Sequence, residues 1–348
     1  MKIIFVACKY DYGNPDFGFS YEYYNLYESL VNMNNRENQV ILFPFDEIIL
    51  KVGRDEMNNQ LLETVEREKP DLCFFFLFQN QIKEETVKRI TNSGTKTLNW
   101  FADDKWRFDS FSRHWAPLFS WISTDEPSRV KDYNKIGYNN VVVGGWGCNQ
   151  NLYKPIDVPK IYDVTFIGQP HGDRKKVVEK IKNAGIKIEC FGRGWPNGKV
   201  SQEEMIKIFN QSKINLNFSA CSGKIGLLKG IGRIFFSNGK FHSPVKWIIN
   251  FKTFLARQQN EIKGRNFEIP GCNSFILSGY AKGLENYYEL DKELVCFYSD
   301  QDLIKKIKYY LSHEDEREKI AKAAYDKTMQ NYTYEKKFNQ IFKTIGLI

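Results

Sequence analysis

Val164-Thr165-Phe166-Ile167-Gly168-Gln169-Pro170-His171-Gly172-Asp173-Arg174-Lys175-Lys176 is the stretch on which the fold turns. A short apolar run rich in β-branched and aromatic residues stops at a glycine, and an amphipathic run over Asp173–Ala184 follows. Strand, glycine turn and helix in that order are half of a βαβ unit, the piece from which parallel sheets are built. Such a turn leaves main-chain N–H groups at a helix N-terminus, where an anion is stabilised. Arg174 and Lys175 fall in the first helical turn, where the helix dipole disfavours cations, and a bound phosphate would remove that conflict. Gly168, His171 and Arg174 are therefore candidate phosphate-side residues. A full G-x-G-x-x-G is absent, so a tight turn with solvated basic side chains and a solvated His171 stands as the alternative.

The same alternation extends both ways. Upstream, Ile3–Cys8, Gln39–Phe45, Asp71–Phe78, Thr95–Phe101, Leu118–Ser123 and Asn140–Val143 read as strands. Tyr21–Met33, Asp55–Glu68, Lys83–Thr91 and Glu126–Ile136 read as helices between them. Leu72–Phe78 is apolar without alternation, as in a strand covered on both faces. Downstream, Ile186–Phe191, Ile214–Phe218, Ser274–Ser278 and Leu294–Tyr298 read as strands, and Asp300–Leu311, Glu314–Gln330 and Tyr334–Phe342 as helices. The pattern breaks around Gly144–Asp163, which is rich in Gly and carries two Pro. The expected organisation is an N-terminal α/β domain over residues 1–150 and a C-terminal one over 151–330. Residues 331–348 form a last helix. Ala220–Asn260, basic and then aromatic, fits neither half. It reads as an excursion of loop and helix packed on the domain, with an amphipathic basic surface as the alternative.

Composition narrows the class. The 348 residues are 42% hydrophobic, 26% charged and 15% aromatic, the usage of a globular chain with substantial cores and not of a disordered one. No run of 18 apolar residues is present, so no spanning helix is expected. The opening M-K-I-I-F-V-A-C is too short for a signal-peptide core and reads as a first strand. Seven scattered cysteines without a C-x-x-C point to a reducing, cytoplasmic setting and to neither disulfides nor zinc. A net charge of +8 suits anionic partners without choosing among them. Peripheral contact with the inner membrane face is therefore an expectation, whereas no nucleic-acid-binding module is recognised.

Two further segments carry chemistry. In I-E-C-F-G-R-G-W-P-N-G, residues 188–198, a strand enters a glycine-rich loop. Gly192 and Gly194 there allow close backbone approach to a ligand, and Trp195 could stack on it or fill a structural turn. In E-I-K-G-R-N-F-E-I-P-G-C-N-S-F-I-L, residues 261–277, Lys263, Arg265 and Glu268 cluster ahead of a strand. Arg265 and Glu268 share a helical face. Glu268 can accept two hydrogen bonds from ribose hydroxyls, and Lys263 or Arg265 can neutralise a leaving diphosphate. A salt bridge is the simpler reading of the same charges.

The G-R-N-F-E-I-P-G-C run, followed by S-G-Y, E-L-V-C-F-Y-S-D, E-R-E-K-I-A-K-A-A and N-Y-T-Y-E-K-K-F, resembles the C-terminal signature of the CgeB-like (spore-maturation-protein-like) glycosyltransferases. The resemblance is most specific over 261–342 and extends through F-I-G and F-G-R-G-W to W-F-A-D-D-K at 100–105. It implies the GT-B fold, two Rossmann-like domains whose parallel sheets face a cleft, with the helix of residues 331–348 crossing back to the N-terminal domain. It further implies a nucleotide-sugar donor, UDP- or GDP-linked, on the C-terminal domain and a glycan, lipid-linked or protein acceptor on the N-terminal one. Glu268 would then meet the ribose, Lys263 and Arg265 the diphosphate, and the Gly168–Arg174 loop the same pocket. No metal or cofactor is expected, because the adjacent Asp103 and Asp104 do not make a D-x-D metal motif. Retention of anomeric configuration is expected, although Glu261 and Glu268 are seven apart where related retaining enzymes place eight. Asn273 and Ser274 stand where the family tends to carry Gly-Gly, and Asn273 is kept on the donor side.

On the N-terminal half, Asp103 and Asp104 follow the fourth strand, where parallel sheets bind ligands. An inverting enzyme would use one as general base, with Asp104 favoured, while a retaining one would use it to hold the acceptor. Capping of the next helix is the structural alternative. Tyr10, Asp11 and Tyr12, after the first strand, are expected on the acceptor side. A sugar-nucleotide epimerase or phosphorylase on the same fold, and an inactive sugar-nucleotide-binding protein, are the competing functions.

Overall fold

The computed structural model describes residues 1–33, 37–221, 226–237 and 239–348. The chain forms two compact units, one of Met1–Gly145 with Tyr334–Ile348, the other of Trp146–Thr333.

The first unit holds six parallel strands, β1 (Lys2–Ala7), β2 (Gln39–Pro44), β3 (Leu72–Phe75), β4 (Lys96–Phe101), β5 (Trp121–Thr124) and β6 (Val141–Val143), ordered β2-β1-β3-β4-β5-β6. Consecutive residues of β1 and β3 divide between two cores. Ile4, Val6, Cys73 and Phe75 pack on one face, and Ile3, Phe5, Leu72 and Phe74 on the other. Both faces are covered, which is why these strands read as unbroken apolar runs. The last helix, Tyr334–Thr344, buries Tyr334, Phe338, Ile341 and Phe342 in the second core. Its spacing of three and four aims one stripe at the sheet. Tyr21 and Tyr334 share a hydroxyl hydrogen bond of 2.7 Å, and Lys337 donates to the Gly144 carbonyl at 2.8 Å.

The second unit holds β7 (Tyr162–Ile167), β8 (Ile188–Phe191) and β9 (Ser212–Asn217), then a two-stranded ribbon, β10 (Phe236–Ser237) with β11 (Lys240–Phe241), then β12 (Ile276–Gly279) and β13 (Val295–Phe297). Its main sheet is parallel, ordered β13-β12-β9-β7-β8.

The structure adds elements that the sequence reading lacks. The helix expected at Asp55–Glu68 starts at Phe45, interrupted at Gly53, whose φ of 81° leaves helical space. A helix over Gln202–Gln211 is capped by Ser201, whose hydroxyl accepts from the Glu204 N–H at 3.1 Å. Within the basic excursion, helices Leu227–Phe235 and Pro244–Arg257 flank the β10–β11 ribbon.

Candidate donor site

The C-terminal ends of β7, β9, β12 and β13 surround a cavity of about 360 Å³. His171–Arg174 wall it after β7, Phe218–Cys221 after β9, Gly279 and Tyr280 at the end of β12, and Phe297–Asp300 after β13. This is where a parallel α/β sheet binds ligands. Two helices begin at its wall, Arg174–Asn183 and Asp300–Ser312, and their N-terminal N–H groups favour an anion.

Arg174 is held in place by main-chain acceptors. It donates to the carbonyls of Gln169 (2.8 Å) and Phe218 (3.4 Å), and its guanidinium lies over the rings of Phe166 and Phe218. Burial lowers its pKa to about 10, so it is charged at neutral pH. Burial first, then the Arg174 charge, depress the pKa of His171. A cation with no carboxylate among these contacts, beside a neutral imidazole, suits a phosphate.

The glycines explain the loop geometry. A Cβ on Gly168 would lie 2.9 Å from the Phe166 ring, and one on Gly192 would lie 2.5 Å from the Gly168 carbonyl oxygen. The two glycine loops thus pack on each other, and Trp195 Nε1 donates to the same carbonyl at 2.8 Å. Gly192, Gly194 and Trp195 shape the turn from behind, and none of them lines the described cavity. Here the structural reading of Trp195 holds.

The 261–268 segment is tied to the sheet by a buried amide network. Asn217 donates to Asn266 (3.2 Å) and to Ser278 (3.0 Å), Asn266 donates to Ser278 (3.0 Å), and the Lys263 N–H donates to Asn266 (3.0 Å). The Glu261 N–H donates to the Ser219 carbonyl at 2.8 Å, so the segment starts at the cavity wall. Lys263 pairs with Glu261 at 2.6 Å. Arg265 pairs with Glu268, which is fully buried, and also contacts Met205 and the Phe209 ring. The Oε1 atom of Glu268 is buried without a hydrogen-bond partner. None of Lys263, Arg265 and Glu268 lines the 360 Å³ cavity itself. Asn273 departs from the expectation. Its backbone is left-handed (φ 50°), and it lines a separate cavity of about 400 Å³ with Lys160, Lys213 and Arg317. That cavity lies where the chain enters β9 and β12, so Asn273 is not brought to His171 and Arg174.

In the first unit, Asp103 and Asp104 follow β4, but their side chains differ. Asp104 is fully buried, and its Oδ2 accepts from Thr124 Oγ1 (2.6 Å) and Tyr133 OH (2.8 Å). Burial raises its pKa, with hydrogen bonds opposing. An enclosed carboxyl already holding two hydroxyls is poorly placed to take a proton from a substrate, which turns the preference between the two carboxylates to Asp103. That residue is partly exposed with φ 57°. The Asp103 and Asp104 N–H groups donate to Asp125 at 2.8 and 3.0 Å, so neither side chain caps the following helix. Tyr10 stacks on Phe19, and Phe19 on Tyr23 at 4.3 Å, while Tyr12 is 75% exposed. Asp46 accepts from the Lys9 and Tyr10 N–H groups.

Sequence reasoning missed Tyr280 and Tyr298, whose rings lie 5.2 Å apart at the cavity wall. Their signal was position, each directly following a strand. It also missed Glu22, whose carboxyl is pushed up to about 7 by burial, with the charges of Asp11 and Asp46 adding to the shift. Glu22 opens a π-helical stretch, Glu22–Tyr27, a local geometry that recurs at functional sites. Among the described residues no group of three or more His, Cys, Asp or Glu is gathered to hold a metal.

Two parallel doubly wound units with a strand-end cavity are the architecture of a GT-B glycosyltransferase, and the comparisons agree. The glycosyl transferase-like family matches residues 174–343. HepE of Anabaena, solved with UDP-glucose, superimposes with a TM-score of 0.60 at 12% identity over the whole of both chains. Sucrose-phosphate synthase of Thermosynechococcus elongatus does so with 0.64 at 8% identity over 99% of each. Within that class the chain is similar to a spore protein. It is 20% identical to spore protein CgeB of Bacillus subtilis (strain 168) over 283 residues, 81% of this chain and 84% of that one.

Proposed function

We propose that the protein moves a sugar from a UDP- or GDP-sugar to a glycan, lipid-linked or protein acceptor, without a metal and with retention. The cavity carrying Arg174 and two helix N-termini at the strand ends is the observation on which this rests. In the reaction the C1–O bond to the diphosphate breaks, a C1–O bond to the acceptor forms, and the acceptor proton leaves with the nucleoside diphosphate or solvent. Arg174 and the N–H groups of the 174–183 helix receive the β-phosphate charge that develops on departure. Glu268 offers its unpartnered oxygen to the ribose, and Lys263 stands by the diphosphate, redirected from Glu261. The tyrosines at 280 and 298 take the base. Support for the donor class is the likeness to HepE, whose structure holds UDP-glucose. Support for retention is the enclosure of Asp104, which removes a candidate base. Asp103 then positions the acceptor, with the Tyr10–Phe19–Tyr23 stack as a sugar platform beside Asp11 and Tyr12.

Thermal shift against UDP, GDP, CMP and dTDP sugars tests the donor, because a ligand at a hundred times its Kd stabilises by about 2.7 kcal/mol. Release of nucleoside diphosphate is then followed with and without EDTA. Stabilisation by none of the four sinks the reading, and release abolished by EDTA and restored by Mg²⁺ or Mn²⁺ sinks its metal-independent part.

A further inference from the structure

The excursion between β9 and β12 concentrates the charge of the chain. Residues 222–260 carry seven of the fifty Lys and Arg and none of the forty-two Asp and Glu. This segment therefore supplies nearly all of the net +8. It is also where apolar side chains stand in solvent. Ile231, Phe235, Phe236, Phe241, Val245, Ile248, Phe251 and Leu255 are all exposed, Phe241 by 80% and Val245 by 69%. Exposed Arg233, Lys240, Lys246 and Lys252 are interleaved with them.

Phe235 apart, the helices 227–235 and 244–257 do not use these residues to hold each other. Their seam is made by Trp247, Asn250 and Phe254. The Phe235 and Trp247 rings meet edge-on at 5.4 Å, Asn250 donates to the Ile234 carbonyl at 3.1 Å, and Phe254 packs where Gly230 lacks a side chain. Val245, Ile248, Phe251 and Leu255 recur at spacings of three and four on a different stripe of the same helix, about a quarter-turn and more from the seam at 100° per residue. That stripe has no partner among the described residues and carries Lys252 in its midst. A soluble surface rarely keeps so many apolar side chains together. Large apolar residues with only cationic neighbours are the composition of an element that lies in a membrane interface.

We propose that the 226–258 hairpin docks on an anionic phospholipid surface. Phe241 on the ribbon and the Val245–Leu255 stripe enter the headgroup layer, while Lys240, Lys246 and Lys252 meet lipid phosphates. The absence of any acidic residue selects this occupant over a second copy of the chain, whose matching face would bring cations against cations. The hairpin rises from the donor cavity. Cys221 and Asn260 both line that cavity, and Ala220 and Asn260 form an antiparallel bridge at its base. Docking would therefore bring the donor mouth near the bilayer. The inference does not depend on the donor being a nucleotide sugar.

The test is co-sedimentation of the full chain with vesicles of phosphatidylcholine alone and of phosphatidylcholine with phosphatidylglycerol. Binding is expected only to the anionic vesicles, weakening in roughly 0.5 M salt, where the Debye length falls to about 4 Å. Lys246→Glu with Lys252→Glu should lower partitioning by roughly 25-fold or more, at about fivefold for each cation removed. Ile248→Asp with Phe251→Asp should abolish it. Both variants should keep the wild-type melting temperature, which shows that the fold is intact. Equal binding to both vesicle types, binding to neither, or retention of binding in the Ile248/Phe251 variant would each overturn the proposal. So would a concentration-dependent dimer that the same variant dissolves.

Discussion

Replacing Glu268 by Gln separates a ribose ligand from a structural ion pair. Glu268 is fully buried, whereas its partner Arg265 keeps 28% of its side-chain surface exposed. Ala would strand the Arg265 cation against Met205 and Phe209, and losing one partner of a buried pair costs about 3–5 kcal/mol. Gln instead keeps the volume and an acceptor for Arg265, so the folding cost should be roughly 1–2 kcal/mol. For a unit of this size that lowers the melting temperature by about 2–8 °C. If the unpartnered Oε1 of Glu268 receives a ribose hydroxyl, the variant also loses a charge-assisted hydrogen bond worth about 1.5–3 kcal/mol. UDP affinity should then fall roughly 10- to 150-fold. Calorimetric titration with UDP, on protein whose melting curve is recorded in parallel, measures both. A lower melting temperature with an unchanged Kd would refute the ribose role and leave Glu268 as the partner of Arg265 alone.

Arg174→Met should weaken UDP binding by roughly 10- to 100-fold and flatten its salt dependence, since a charged donor at the phosphate is lost; unchanged titration curves at low and high salt would remove Arg174 from the site. Asp104→Asn keeps acceptors for Thr124 and Tyr133 and should leave kcat within a few-fold, with about 1 kcal/mol of stability lost. Asp103→Asn should raise the acceptor KM with little change in kcat, whereas a kcat drop of about 10²–10⁴ would mark Asp103 as a general base and the reaction as inverting. Glu22, raised from its ordinary value to about 7, contributes stability that is present below pH 4.5 and lost as pH rises through 7. Urea unfolding should therefore show the wild type losing about 2–3 kcal/mol more than Glu22→Gln between pH 5 and 8, and identical pH profiles would contradict a raised pKa.

The alternation of apolar runs and amphipathic stretches was enough to reach two parallel sheets, because strands covered on both faces write their burial into consecutive residues, as Ile3–Ala7 and Leu72–Phe75 do. What escaped was local. The Gln202–Gln211 helix was announced by Ser201 and Glu204, the spacing of a capping box, yet its short apolar set hides beside a glycine-rich loop. The first turns of the Phe45–Glu68 helix were hidden by the kink at Gly53. The C-terminal helix was legible because Tyr334, Phe338, Ile341 and Phe342 keep helical spacing, whereas its target came from the family resemblance, because a stripe says that it is buried and not against what.

The site was legible only where position in the sheet decides function. His171 and Arg174 follow a strand and reach a cavity. Asp103 and Asp104 also follow a strand, and the outcome differs because of residues remote in sequence. Thr124, at the end of the neighbouring β5, and Tyr133, on the helix beyond it, both donate to Asp104 and close it off. The same chemistry appears on the other sheet, where Asn217 and Ser278 at two strand ends hold Asn266 and thereby the chain leading to Glu268. Polar residues at strand ends thus do two jobs that a single sequence cannot separate: binding a ligand, or fastening the loop that binds it. Which job falls to a given residue depends on whether the adjacent strand supplies a donor, and that is fixed by sheet order. In the first unit β5 lies beside β4, so Asp104 meets the Thr124 hydroxyl. Among the described residues Arg174 hydrogen-bonds to carbonyls and lies over two aromatic rings, which position the guanidinium without neutralising it, and its charge remains available to a phosphate.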